Sequence, residues 1–122
     1  MIPKKESLVV EFKSDKKKLD DSEIFETIVG FVNAKGGTLY IGVEDDGSVT
    51  GVHPSHKDVV GLAAAIANNT IPPQSVRVDF IDIDEKRVVT VEVSSSTTIV
   101  STTSGKILRR RIQHDGTPET VP

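Results

Sequence analysis

The sequence predicts an α+β domain built on a mixed β-sheet with two principal helices, and three observations support that expectation. Two stretches, 21–35 and 55–67, repeat apolar residues at helical spacing. Around them lie short segments in which apolar residues alternate with polar ones, the period of half-buried strands. Several of these segments are joined by turn sequences such as Asp46-Gly47 and Asp84-Glu85-Lys86, which favour hairpins.

Leu8, Val10 and Phe12 alternate with Val9, Glu11 and Lys13, so 8–13 reads as a short strand. A helix is predicted over 21–35, with Asp20 as its cap, Glu23 closing a capping box, and Ile24, Phe25, Ile28, Val29 and Val32 as its apolar stripe. Gly36 and Gly37 provide the positive-φ stop that a helix C-terminus favours. Leu39, Ile41 and Val43 then share one face of a strand, and Glu44-Asp45-Asp46-Gly47 turns back into 48–52. Ser55 and Asp58 start a second helix through Val59, Leu62, Ala63, Ile66 and Ala67, which ends at Asn68-Asn69 before Pro72-Pro73. Val76, Val78 and Phe80 alternate until Ile81 and Ile83 take over the apolar phase, which predicts a bulge near Phe80-Ile81. Val89, Val91 and Val93 form another strand. A Ser/Thr-rich stretch, 94–104, follows with Ile99-Val100 as a short edge strand, and Gly105 leads into a last strand around 107–112. The polar, proline-bearing stretch 117–122 reads as the start of a linker to a further C-terminal region, leaving 1–116 as the domain.

A chain of 122 residues with 36% apolar content suits one domain with a single core. It has no cysteine, which excludes disulfides, thiol catalysis and thiolate metal sites and favours a reducing compartment. No apolar run approaches membrane-spanning length and the first residues lack a signal-peptide core, so a cytoplasmic protein without membrane association is expected. The net charge of −3 argues against a protein coated in basic surface. The charges are nonetheless segregated. Lys4, Lys5, Lys13, Lys16, Lys17 and Lys18 gather near the N-terminus, Lys106 and Arg109 to Arg111 near the C-terminus, and carboxylates crowd 44–46 and 79–85.

The ordered set Glu6-Ser7-Leu8-Val9-Val10-Glu11-Phe12-Lys13, Phe31 to Gly47, Gly51-Val52, Ile71-Pro72-Pro73 and Gly105 followed by Arg109 resembles the Schlafen-type AlbA domain over 6–116. One departure is that Arg111-Ile112-Gln113-His114-Asp115-Gly116 stands where such domains usually carry a glycine-serine pair after the arginine. The resemblance implies a nucleic-acid-binding module of RecG-related proteins or transcriptional regulators, usually N-terminal to winged-helix or ATPase-like segments. It also implies an alternative, because Glu6, Glu11 and Asp45 fall where Schlafen proteins with RNase activity place three metal-binding, catalytic carboxylates. Hard oxygen ligands of that kind hold Mg²⁺ or Mn²⁺. Strand parity complicates the alternative. Glu6 is in phase with Leu8, Val10 and Phe12 whereas Glu11 is not, so the two converge only if Glu6 lies outside the regular strand.

Nucleic acid, DNA or RNA, is the expected partner, with Lys13, Lys16, Lys17, Lys18, Arg109, Arg110 and Arg111 as the phosphate contacts. Arg109 matches the family's late arginine, with Arg110 and Arg111 as one-position alternatives. An ordinary solvated loop is the competing reading of Lys16 to Lys18. Of five aromatic residues, Phe12, Phe25, Phe31 and Phe80 sit in core phase, leaving Tyr40 as the stacking platform and little support for base-specific reading. Gly36-Gly37 leaves a helix instead of entering one, and no GxxxxGK[ST] or GxGxxG exists, so ATP binding would fall to a part of the parent protein beyond this domain. His53, His56 and His114 lack metal spacing, and Ser55-His56-Asp58 reads as a helix cap and not as a triad. A third reading is a structural domain that forms homo-oligomers through its edge strands.

Overall fold

The computed structural model describes residues 2–122. Its elements in chain order are β1 (Val10–Lys13), α1 (Asp21–Val32), β2 (Gly37–Ile41), α2 (Val59–Asn68), β3 (Thr70–Ile71), β4 (Arg77–Ile83), β5 (Lys86–Val93), β6 (Ser101–Thr102), β7 (Arg109–Ile112) and β8 (Pro118–Val121). A four-stranded sheet has the order β1-β2-β5-β4, with β1 parallel to β2 and the other pairs antiparallel. The short pairs β3-β6 and β7-β8 stand apart from it. The architecture is therefore the expected α+β arrangement. No helix among the described residues is long and apolar enough to cross a membrane.

Alternation along β2 and β5 decides where the core lies. Leu39 and Ile41 register with Val91 and Val89, and all four are fully buried on the face that receives Ile24, Ile28, Val29 and Val32 of α1 and Leu62 and Ile66 of α2. The opposite face holds a smaller cluster of Phe12, Val43 and Val88, flanked by Val10, Tyr40 and Val49. The β7-β8 hairpin closes over α1. A Cβ added to Gly30 would lie 2.7 Å from the Thr120 methyl, so the missing side chain is what admits the hairpin.

Local details depart from the sequence reading in several places. Asp20 is the extended residue before α1, but its side chain makes no capping bond; its carbonyl accepts from Glu23 N (3.0 Å) instead. Helix α1 ends at Val32, and Gly36 at φ 76° donates its N–H to the Phe31 carbonyl (2.8 Å), the chain reversal expected of that glycine. The stretch 48–52 adds no strand, because Val43 and Val49 form only an isolated bridge and both edges of β2 are taken by β1 and β5. Asp58 caps α2 through Gly61 N (2.9 Å). There is no bulge at Phe80-Ile81. The register with β5 runs unbroken from Arg77 to Ile83, and Phe80 stays half-exposed beneath the Arg87 guanidinium, 3.6 Å from its ring centroid. The short strand expected at Ile99-Val100 lies two residues later, at Ser101–Thr102. Pro118–Val121 is a strand paired to β7, so the expected linker start is part of the folded domain.

Candidate functional site

Three elements meet along the open edge of β1. Glu11 registers with Leu39 and so points to the helical face of the sheet, but β1 is an edge strand and the side chain emerges into a groove between α1 and the β7-β8 hairpin. Glu6 precedes the strand. A turn with Ser7 N donating to the Val10 carbonyl (3.0 Å) folds it back, and Glu6 Oε2 accepts the Phe12 N–H (3.1 Å). The convergence of Glu6 and Glu11 thus arises by the route that strand parity required. The groove encloses 300 Å³, and Glu23, Glu26 and Glu119 complete its acidic lining, with Lys13 as the cation on it.

Arg110 fixes this geometry from behind. It was expected on the nucleic-acid surface, but it is 2% exposed, because alternation along β7 turns it inward while Arg109 and Arg111 face out. Its Nε donates to the carbonyls of Ser7 (3.2 Å) and Leu8 (2.8 Å), its Nη2 to those of Ser7 (2.7 Å) and Val10 (2.8 Å), and its Nη1 to Glu11 Oε1 (2.6 Å). The guanidinium carbon also lies 4.8 Å from the Phe31 ring centroid. One side chain therefore shapes the Ser7–Val10 turn and neutralises Glu11.

Partial burial, followed by the hydrogen bond to Glu11 and the negative charges of Glu11 and Asp45, pushes the Glu6 carboxyl up to about 7. Asp45 is exposed in the 44–47 turn, which packs on the N-terminal segment: a Cβ on Gly47 would lie 3.0 Å from the Lys4 carbonyl oxygen. Glu6 and Glu11 come together, and the negative charge of Asp45 adds a little to the upward push on Glu6. Among the described residues no three His, Cys, Asp or Glu side chains are placed to hold a metal ion. Glu11 is already engaged, Oε1 by Arg110 and Oε2 by Lys13 at 3.7 Å. The carboxylates as arranged do not fit Mg²⁺ or Mn²⁺.

The other cations expected on the nucleic-acid surface lie toward the two ends of α1. Lys16, Lys17 and Lys18 are exposed on the loop entering its N-terminus; only Lys16 has an acidic partner among the described residues, Glu44 at 3.8 Å. At the other end, exposed Arg109 shares a cavity with Lys35 just past the helix, while Arg111 pairs with Glu119 at 2.7 Å. Asn33 holds that end together, its Nδ2 donating to the carbonyls of Val100 (2.7 Å) and Leu108 (2.8 Å) and its Oδ1 accepting from Val100 N (2.9 Å). A helix of 12 residues sets the two cationic ends about 18 Å apart, with the acidic groove between them. Tyr40 is partly covered, its ring edge-on to Phe12 at 6.0 Å, and the more exposed aromatic residue is Phe80, expected in the core, one face of which Arg87 covers.

The sequence reading also missed the pairing of Asp15 with His56. Asp15 is buried and accepts from Leu19 N, His53 N and His56 Nδ1, each at 2.7 Å. No local pattern announces a contact across this sequence separation.

Solved structures share this fold. The DIP2311 protein of Corynebacterium diphtheriae matches with a TM-score of 0.72 at 18% identity, over 93% of this chain and 22% of that one, so the chain spans about a fifth of that protein's length. The N-terminal domain of a Nitrosomonas europaea protein named as ATP-dependent DNA helicase RecG-related matches with a TM-score of 0.64 at 21% identity, over 88% of this chain and 80% of that one. At these identities the likeness speaks for the fold. The sequence profile of the family Schlafen, AlbA_2 matches residues 6–117, nearly the whole chain, and the chain therefore belongs to the Schlafen, AlbA_2 family.

Proposed function

We propose that this domain is a nucleic-acid-binding module of a cytoplasmic RecG-related protein or transcriptional regulator, contacting backbone phosphate without strong sequence reading. The observation that carries the reading is the pair of exposed cationic ends of α1. Lys16, Lys17 and Lys18 stand at one end and Arg109 with Lys35 at the other, with Lys13 and Arg111 as tethered contributors. Family membership and the RecG-related neighbour support it. A separation of about 18 Å lets one backbone touch both ends. The scarcity of exposed aromatic rings argues for phosphate contacts over base stacking.

Fluorescence anisotropy with a labelled duplex, a single strand and an RNA hairpin over a salt series tests this. Each phosphate contact contributes a slope of roughly −0.9 in log K against log salt on duplex DNA. Replacing Lys16, Lys17 and Lys18 together by glutamine is expected to flatten that slope and weaken binding to every sequence alike. Binding that ignores salt, or is absent at low ionic strength, refutes the proposal and leaves the structural role.

A further inference from the structure

The loop that carries Lys16 to Lys18 is anchored by two buried groups outside the groove. Asp15 is 1% exposed and His56 4%. Asp15 Oδ1 accepts from Leu19 N at 2.7 Å, closing a ring of backbone around the three lysines, and Leu19 itself is buried in the core. Asp15 Oδ2 accepts from His53 N and His56 Nδ1, both at 2.7 Å, which ties the loop to the 3₁₀ turn Pro54–His56. On its far side His56 Nε2 faces Asp21 Oδ1 at 3.2 Å, in the first turn of α1. One imidazole thus joins the lysine loop, the turn before α2 and the start of α1.

We propose that the Asp15–His56 pair is the positioning device of the lysine loop, so that binding by Lys16, Lys17 and Lys18 depends on two residues that touch no nucleic acid. The inference rests on the reading that this loop contacts phosphate. Long lysine side chains on a mobile loop lose binding to the cost of ordering them, and a loop already held in shape has less to lose. Asp15 and His56 are positioning residues, and their effect is confined to the contacts made by the loop they hold.

A double-mutant cycle separates positioning from general destabilisation. Affinity for a labelled duplex of about 20 bp is measured over roughly 50–200 mM salt. The proteins are the wild type, His56→Gln, the Lys16→Gln, Lys17→Gln, Lys18→Gln triple variant, and the combination, each shown by thermal denaturation to be folded. His56→Gln alone is expected to weaken binding about five- to tenfold and flatten the salt slope. On the triple background it is expected to cost nothing further. Equal losses in both backgrounds, or an unchanged slope, overturn the inference while leaving the binding function intact. A triple variant that binds as the wild type overturns the function and the inference with it. Should His56→Gln fail to fold, Asp21→Asn removes only the exposed outer carboxylate, and its smaller loss must likewise vanish on the triple background. Amide exchange at Leu19 and His53, the two N–H groups held by Asp15, is expected to quicken in His56→Gln; unchanged protection at both also overturns the inference.

Discussion

Replacing Arg110 by lysine distinguishes a buried structural arginine from a phosphate contact. Arg110 makes five hydrogen bonds, four to carbonyls of Ser7, Leu8 and Val10 and one to Glu11. An ammonium has three donors and no planar fork, so at least two of those bonds are lost and partly buried carbonyls of the Ser7–Val10 turn each lose a charged donor. At about 1–2 kcal/mol for each, Arg110→Lys is expected to destabilise by about 2–4 kcal/mol. Arg110→Ala also leaves Glu11 with only the more distant Lys13 and is expected to cost about 3–5 kcal/mol, a large share of a typical domain's stability. Urea unfolding reads the change as a shift of midpoint at constant slope. The melting temperature of Arg110→Lys is expected to fall by roughly 10 °C. Converting Arg110 and Glu11 together to methionine and glutamine recovers part of the Arg110→Ala loss, since no unpaired charge remains. The variant is expected to keep the wild-type salt slope for nucleic acid. A loss below about 0.5 kcal/mol, or a slope flattened as by removal of Lys16 to Lys18, refutes the buried role.

Three further outcomes are expected. Glu6 is raised from 4.5 to about 7, so the folded state keeps a proton that the unfolded chain has released, and stability falls as pH rises from near 4.5 to near 7. For a half-exposed carboxyl the loss is about 1–2 kcal/mol after solvent screening; Glu6→Gln removes it, and identical urea-unfolding profiles at acidic and basic pH for both proteins would refute the assignment. Gly30→Ala gains helix propensity but drives a Cβ to 2.7 Å from the Thr120 methyl. It is therefore expected to destabilise by about 1–2 kcal/mol, with partial rescue by Thr120→Ala; a single variant as stable as the wild type would mean that β8 does not dock on α1. EDTA is expected to leave duplex binding unchanged, because the cations at the two ends of α1 need no metal, and chelator-sensitive binding counts against them.

The periodic parts of the fold were legible because each had one dominant cause. Leu39 and Ile41, like Val89 and Val91, can be buried together only on one face of a strand, and the sheet follows from that constraint. The convergence of Glu6 and Glu11 was also legible as a condition, and the Ser7–Val10 turn meets it. Arg110 was not, since its carbonyl partners lie 100 residues or more away in sequence, and three consecutive arginines say only that one side must differ from the other. The bulge failed for a different reason. An unbroken ladder to β5 outweighs the hydrophobic phase, and Arg87 covers the Phe80 ring, so an apolar residue remains on an edge strand without a register shift. Strand β8 did carry a signal. Asp115-Gly116 is the same dipeptide as Asp46-Gly47, and Thr117 N bonds Asp115 Oδ1 (3.0 Å) while Gln113 N bonds the Thr117 carbonyl (2.7 Å), a hairpin turn that the polar composition of the tail concealed.

A protein of net charge −3 binds a polyanion only if its local fields override its total. At physiological ionic strength the screening length is about 8 Å, comparable with half the length of α1, so each cationic end acts largely apart from the groove between them. The groove is also less negative than its residues imply. Glu11 faces Arg110 and Lys13, Glu26 pairs with Lys106 at 3.1 Å, and Glu119 pairs with Arg111. Glu6 is pushed up to about 7, which lowers its charge below that of an ordinary carboxylate, and Glu23 and Glu6 are the groove carboxylates without a cationic partner among the described residues. A backbone running from the lysine loop toward Arg109 therefore crosses a seam of mostly neutralised carboxylates. The buried arginine that shapes the N-terminal turn is one of the groups that makes this crossing electrostatically possible, which couples the stability of the fold to the path proposed for its ligand.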